Sequence, residues 1–297
     1  MSDLAETYAK RVRPCLVAFT SKFFDSYATG GKPPPFPHII GTGFVVDSEG
    51  WIVTNRHVVE AFADVPAEVL EASGKKPPVM ATFFHLVGDE LHLPMVQVED
   101  VHFFPDVPED MLTRFAPEAP DLAFVRVNMR GLPALQLVQE TIAEGMDLAT
   151  AGFPMGKDAL APRGYLEQLS PTLQKGIVSA VLPFPGTHPH AFVLNVMVRG
   201  GASGSPVFVP ESGMVAGIVY AGLSDFESNK ELKKYKVPTN LTYVLPAHVI
   251  ATALEILQER GFVRPQPDAP TLDERMCEPT KTELPEGVVS WEPLQSS

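Results

Sequence analysis

Apolar runs of strand length recur along this chain, each closed by a glycine or proline turn, and no helical runs alternate with them. Val17 and Phe19 mark a first strand, and further strands are predicted at 40–47, 51–54, 80–86, 91–98 and 122–128. A second series is predicted near 146–152, 174–183, 191–198, 206–210, 213–220 and 241–245. Asp3 and Glu6 have capping-box spacing and predict a short helix over 4–12. Pro246 to Arg260 reads as an amphipathic helix, apolar at Val249, Ile250, Ala253, Leu254 and Leu257, with Gly261 just past its end. Strand spacing of this kind indicates an all-β barrel or sandwich. A chain of 297 residues buries one large core or two smaller ones. Its 30 prolines suit a loop-rich β protein.

Three segments carry chemistry-bearing residues at strand ends. Gly200-Gly201-Ala202-Ser203-Gly204-Ser205-Pro206 leads into the apolar run Val207-Phe208-Val209. It puts the Ser203 hydroxyl on a tight bend that aims backbone N–H groups at a point beside it. Upstream, Gly41-Thr42-Gly43-Phe44-Val45-Val46 is followed by Trp51-Ile52-Val53-Thr54-Asn55-Arg56-His57-Val58-Val59, and Asp121-Leu122-Ala123-Phe124-Val125-Arg126-Val127 lies between the two. Taken singly, Ser203 reads as a turn serine, His57 as a packed histidine and Asp121 as a strand-start cap. A nucleophile needs a base and the base needs an orienting group, and the three together supply that set.

On these motifs the chain resembles a chymotrypsin-fold serine protease, and is most similar to the bacterial HtrA/Deg-type branch. The order His, Asp, Ser is that of the chymotrypsin arrangement. Gly152-Phe153-Pro154 with Gly176-Ile177-Val178-Ser179-Ala180 is a further match, and Leu241-Thr242-Tyr243-Val244-Leu245-Pro246 a weaker one. Together the matches span roughly 35 to 260. The resemblance implies two packed six-stranded antiparallel β-barrels. The first would occupy 1–135 and carry His57 and Asp121; the second would occupy 136–263 and carry Ser203 and the C-terminal helix. Residues 264–297 are expected to be a proline-rich acidic tail, extended or disordered. Nothing after 261 has the length of the peptide-binding domain that many HtrA/Deg relatives append.

The resemblance also implies roles. Ser203 would be the nucleophile, His57 the general base and Asp121 its orienting carboxylate, with the N–H groups of Gly201 and Ser203 as oxyanion donors. Met197, six residues before the serine, would sit at the base of the substrate pocket, with Tyr220, Gly222 and Tyr243 lining it. Without a buried charge such a pocket rejects Lys and Arg and prefers small or medium apolar side chains. An inward-turned Arg199 would instead favour acidic ones. Two positions depart from the pattern. Ala202 stands where digestive relatives have an aspartate that pairs with a new N-terminus, and where HtrA/Deg relatives have Asn. Ser205 replaces a more usual glycine. No activation by N-terminal clipping is therefore expected.

A net charge of −13 argues against nucleic acid and anionic membrane as partners. The partner expected is a peptide or protein substrate, alongside a homo-oligomeric or regulatory partner, since HtrA/Deg relatives often form trimers. The two cysteines, Cys15 and Cys277, and the lack of a signal-like N-terminus read as a cytoplasmic, reducing address. No cofactor or metal is expected: His188 and His190 share a loop without acidic or cysteine partners, and His85 and His92 are assigned to packing. Gly30-Gly31-Lys32 lacks the strand-to-helix context of a phosphate loop.

Overall fold

A computed structural model describes residues 4–21, 38–63, 79–87, 90–92, 94–103, 119–154, 171–186, 188–228 and 234–277. Asp3, the Gly/Pro loop from 22 to 37, most of the spacer between His57 and Asp121, and residues 278–297 lie outside them. In the first half, strands β1 (Leu16–Ser21), β2 (His38–Asp47), β3 (Trp51–Thr54), β4 (Val79–Phe83), β7 (Met95–Phe103) and β8 (Ala123–Val127) close into an antiparallel barrel in the order β1-β2-β3-β8-β7-β4. In the second, β9 (Asp147–Gly152), β10 (Thr172–Leu182), β11 (Ala191–Leu194), β12 (Pro206–Phe208), β13 (Val215–Ser228) and β14 (Lys234–Pro246) close in the order β10-β11-β14-β13-β12-β9.

Strand alternation explains how the barrels pack. In β9 and β12, Leu148 and Val207 point into the second barrel with Phe192, Leu194, Ala216 and Val244. Their neighbours Ala149, Ala151 and Phe208, with Val215 and Ile218, join the apolar cluster of the first barrel. A side-chain period of two thus lets short strands serve two cores. The C-terminal helix (Ala247–Glu259) adds Val249, Ile250, Ala253, Ile256 and Leu257 to the shared cluster. It ends at Gly261, φ +72°, where Gly261 N–H donates to Gln258 and Phe262 N–H to Leu257. That is the left-handed cap that glycine supplies most easily.

Several elements differ from expectation. The run predicted at 80–86 stops at Phe83, because β4 turns to pair with β7 (Thr82 opposite Met95) and Phe83 N–H donates to Pro94 C=O. Residues 85–92 form a separate hairpin of β5 (His85–Val87) and β6 (Glu90–His92), with His85 opposite His92. Pro94 has no N–H with which to continue a ladder. β13 and β14 extend past the barrel as a ribbon from Ser224 opposite Pro238 to Ser228 opposite Lys234. The N-terminal helix over Leu4–Thr7 widens at Tyr8–Val12 and tightens at Arg13–Cys15.

Residues 264–277, expected in the extended tail, are instead strapped onto the first barrel. Gln266 N–H donates to Glu49 Oε2, and its amide donates to the carbonyls of Glu49, Val127 and Met129. Arg130 donates to Ala269 and Pro270 carbonyls, Leu272 is buried, and a short helix follows at Leu272–Cys277. Backbone carbonyls at the barrel end supply partners that composition does not reveal.

Candidate active site

The register of β3 with β8 builds the first part of the site. Thr54 lies opposite Ala123, so the residues leaving β3 run beside those entering β8. Asn55 Nδ2 donates to the Asp121 carbonyl at 2.9 Å. A one-turn helix (Arg56–Glu60) starts there; its N-cap Asn55 turns Nδ2 to Asp121, and its buried Oδ1 makes no cap bond. Asp121 takes over: its Oδ1 accepts the His57 backbone N–H at 3.0 Å, while Oδ2 accepts His57 Nδ1–H at 2.6 Å. One carboxylate satisfies an orphan helix N–H and fixes the imidazole. Because an ionised carboxylate only accepts, Nδ1 is the donor of this bond, and in the neutral ring Nε2 is then the acceptor.

The second part is the loop around Ser203. Ala202 N–H donates to Arg199 C=O at 3.0 Å, and Gly201 has φ +90°. A positive φ at the third position of such a turn is the type II geometry that favours glycine, and it sets which way the Gly201 N–H faces. Downstream, Gly204 N–H donates to Val219 C=O and Val219 N–H to Ser205 C=O, both at 2.9 Å. Upstream the loop docks on the other barrel. Thr42 N–H donates to Ser203 C=O at 2.9 Å, and Thr42 Oγ1 donates to Gly201 C=O at 2.7 Å. Thr54 Oγ1 donates to Thr42 C=O at 2.7 Å, which ties the loop to the end of β3 where His57 begins. Ser203 Oγ makes no hydrogen bond among the described residues.

The expected pocket residues fall on adjacent segments. Ala221 pairs with Tyr243 and Gly222 with Thr242, and the half-buried rings of Tyr220 and Tyr243 have centroids 6.1 Å apart. Burial, then Tyr243 and then the charge of Asp121 raise the Tyr220 hydroxyl's pKa, so it stays protonated. Thr242 Oγ1 donates to Val196 C=O at 2.7 Å, and a Cβ at Gly222 would lie 3.2 Å from Val198 Cγ2. The segment holding Met197, itself 36% exposed, therefore runs alongside these paired strands, while Arg199 is exposed. Ser205 is explained by packing: its buried hydroxyl sits where Gly152 has no side chain, 1.8 Å from where a Cβ would be. Among the described residues no group of three or more His, Cys, Asp and Glu is disposed to hold a metal.

Thr42 and Asn55, which in the sequence are only flanks of the motifs, have structural roles here. The signal was present in G-T-G and T-N-R-H. Both glycines flanking Thr42 are forced by contact, since a Cβ at Gly41 would lie 2.6 Å from Val58 and one at Gly43 2.7 Å from Phe19.

Two antiparallel barrels, one bringing a His–Asp pair to its rim and the other a glycine-rich serine loop, define a chymotrypsin-like fold. The sequence model of the trypsin-like peptidase domain matches residues 41–218, more than half of the chain, and the chain belongs to that family. Solved structures similar in fold include the HtrA-type protease AlgW with a decapeptide (16% identity, TM-score 0.52, 88% of this chain and 69% of that one). With a tripeptide, AlgW gives 16% identity and a TM-score of 0.51, and the match spans 88% of this chain and 65% of that one, just under two thirds. Deg5 is also similar (17% identity, TM-score 0.51, 86% of this chain and 93% of that one). Comparison with curated protein sequences gives no match.

Proposed function

We propose that this protein is a serine endopeptidase whose nucleophile is Ser203. His57 Nε2 takes the Ser203 proton as Oγ attacks the scissile carbonyl. Asp121 holds the imidazole and stabilises its cation. The N–H groups of Gly201 and Ser203 receive the oxyanion, and His57 then protonates the leaving amine. Water, activated by the same imidazole, releases the acyl group. The observation that carries this reading is the two-point contact of Asp121 on His57, which leaves Nε2 as the free base. The AlgW structures contain bound peptides, which supports peptide or protein as the substrate class here.

The wall of Met197, Tyr220, Gly222 and Tyr243 presents no buried charge, so small or medium apolar residues are the proposed side chains before the cut. Faster cleavage after Lys or Arg than after Val, Leu or Met in a peptide library would overturn that preference. The test of the activity is labelling with a fluorophosphonate probe. Wild type is expected to label, and Ser203→Ala and His57→Ala are not. Among the described residues Ser203 Oγ makes no hydrogen bond, which favours a second reading, a latent protease that needs a partner for activation. Failure of the pure protein to cleave unfolded casein, followed by cleavage once a partner is added, would select it.

A further inference from the structure

Among the described residues no side chain of the serine loop bonds within it: Ala202, beside Ser203, is 4% exposed and ends in a methyl group, and the buried Ser205 Oγ has no partner there. We propose that Thr42 is the positioning residue of the oxyanion hole, acting from the opposite barrel. The inference rests on the reading of Gly201 and Ser203 as oxyanion donors. Thr42 is wholly buried, and its backbone and hydroxyl groups are all engaged. Phe153 N–H donates to Thr42 Oγ1 at 3.0 Å. An amide can only donate, so the hydroxyl's own proton goes to its other neighbour, Gly201 C=O, at 2.7 Å. The direction of this hydrogen bond is therefore fixed by the fold.

The contact falls where it controls the hole. Both residues whose N–H groups would bind the oxyanion have their carbonyls tied to Thr42, Gly201 through the hydroxyl and Ser203 through the backbone N–H. The Gly201–Ala202 peptide is clamped at both ends, its C=O by Thr42 and its N–H by Arg199 C=O. With that peptide fixed, the turn keeps φ +90° at Gly201, and the two donors keep one spacing. Gly204, at φ +88°, lets the loop lie directly on Thr42: a Cβ there would be 1.9 Å from the Thr42 carbonyl oxygen. Docking of the barrels and shaping of the hole are thus one event, and no new N-terminus is needed to order the loop.

Thr42→Val removes the hydroxyl and keeps the shape; Thr42→Ser keeps the hydroxyl. Thr20→Val is the control, since it loses a buried hydroxyl pair with Thr82 in the same barrel, and the bonds of that hydroxyl go to Met80 and Thr82 rather than to the loop. On a peptide substrate, Thr42→Val is expected to lower kcat about tenfold to a hundredfold with KM little changed, short of the ~10²–10³ lost with an oxyanion donor itself. Its affinity for a peptide boronate should fall by a similar factor. Thr42→Ser should stay near wild type, and Thr20→Val should lose thermal stability but not kcat. Amide hydrogen exchange over 199–204 reads the same clamp without catalysis and should quicken in Thr42→Val alone. Unchanged exchange, or equal kcat losses in Thr42→Val and Thr20→Val, overturns the proposal. A wild type inert to the peptide and unlabelled by the fluorophosphonate even with a partner added, with exchange quickened in Thr42→Val, overturns the peptidase reading and leaves the clamp standing.

Discussion

His57 and Asp121 are neighbours because β3 and β8 pair through Thr54 and Ala123, a register internal to one barrel. Ser203 is placed otherwise. Its loop pairs with Val219 of its own barrel only downstream, and upstream it hangs on Thr42 of the other. One half of the candidate site is held by contacts within a single barrel; the other takes contacts from both.

The largest effects would break or keep the chemistry on each side. Ser203→Ala should lower kcat about 10⁶-fold, and His57→Ala should do about the same, because the pair acts as a unit. Asp121→Asn should cost about 10⁴-fold by presenting the wrong tautomer. If steady-state kinetics showed Asp121→Asn within tenfold of wild type, the register-built half would not be the orienting half.

Gly204→Ala comes next and attacks the docked half. Its positive φ and the Thr42 oxygen in the way should remove about 3 kcal/mol or more of stability, read as a lowered urea midpoint. A midpoint within error of wild type would mean that the loop does not need to lie on β2. Gln266→Ala tests the strap on the far side of the comparison. Removing the Gln266 amide from the Glu49 and Met129 carbonyls and from the Arg126 donor should cost about 1–3 kcal/mol, with kcat per folded molecule unchanged. A kcat loss matching that of Thr42→Val would show the strap also shapes the site.

The sequence displayed the first half of this contrast more fully than the second. His57, Asp121 and Ser203 stood out because each sits at the end of an apolar strand run, and strand ends are where register delivers side chains. The closed barrels were readable from strand spacing together with the motifs. The clamp was not, because a buried threonine in a strand has the same local pattern whether it binds its own sheet or a loop 159 residues away. The strap at 264–277 escaped for the opposite reason: a proline-rich acidic segment lacks periodicity, and its anchors are barrel carbonyls. The excess length of β13 and β14 was hidden by polar and charged residues, which a ribbon outside the barrel has no reason to avoid.

The smallest expected effect compares the barrels through their histidines. His248, on the C-terminal helix, is held below its ordinary value by burial first and then by His188 and His190, with the His188 ring 5.4 Å away. His102, on β7, is lowered by burial, with Asp100 opposing and Arg126 adding. A histidine whose folded pKa is depressed resists a proton that the unfolded chain accepts. Above about pH 6.5 neither state is charged and nothing is lost; as pH falls below it, the unfolded chain binds protons first and stability declines until the folded pKa is reached. Thermal unfolding at pH 7.5 and pH 5 should therefore show a smaller acid-induced drop in His248→Gln than in wild type, and likewise in His102→Gln. If only His248→Gln flattens the slope, acid acts through the helix side of the second barrel. Unchanged slopes in both would remove the histidines from the account and leave the carboxylates to explain any acid sensitivity.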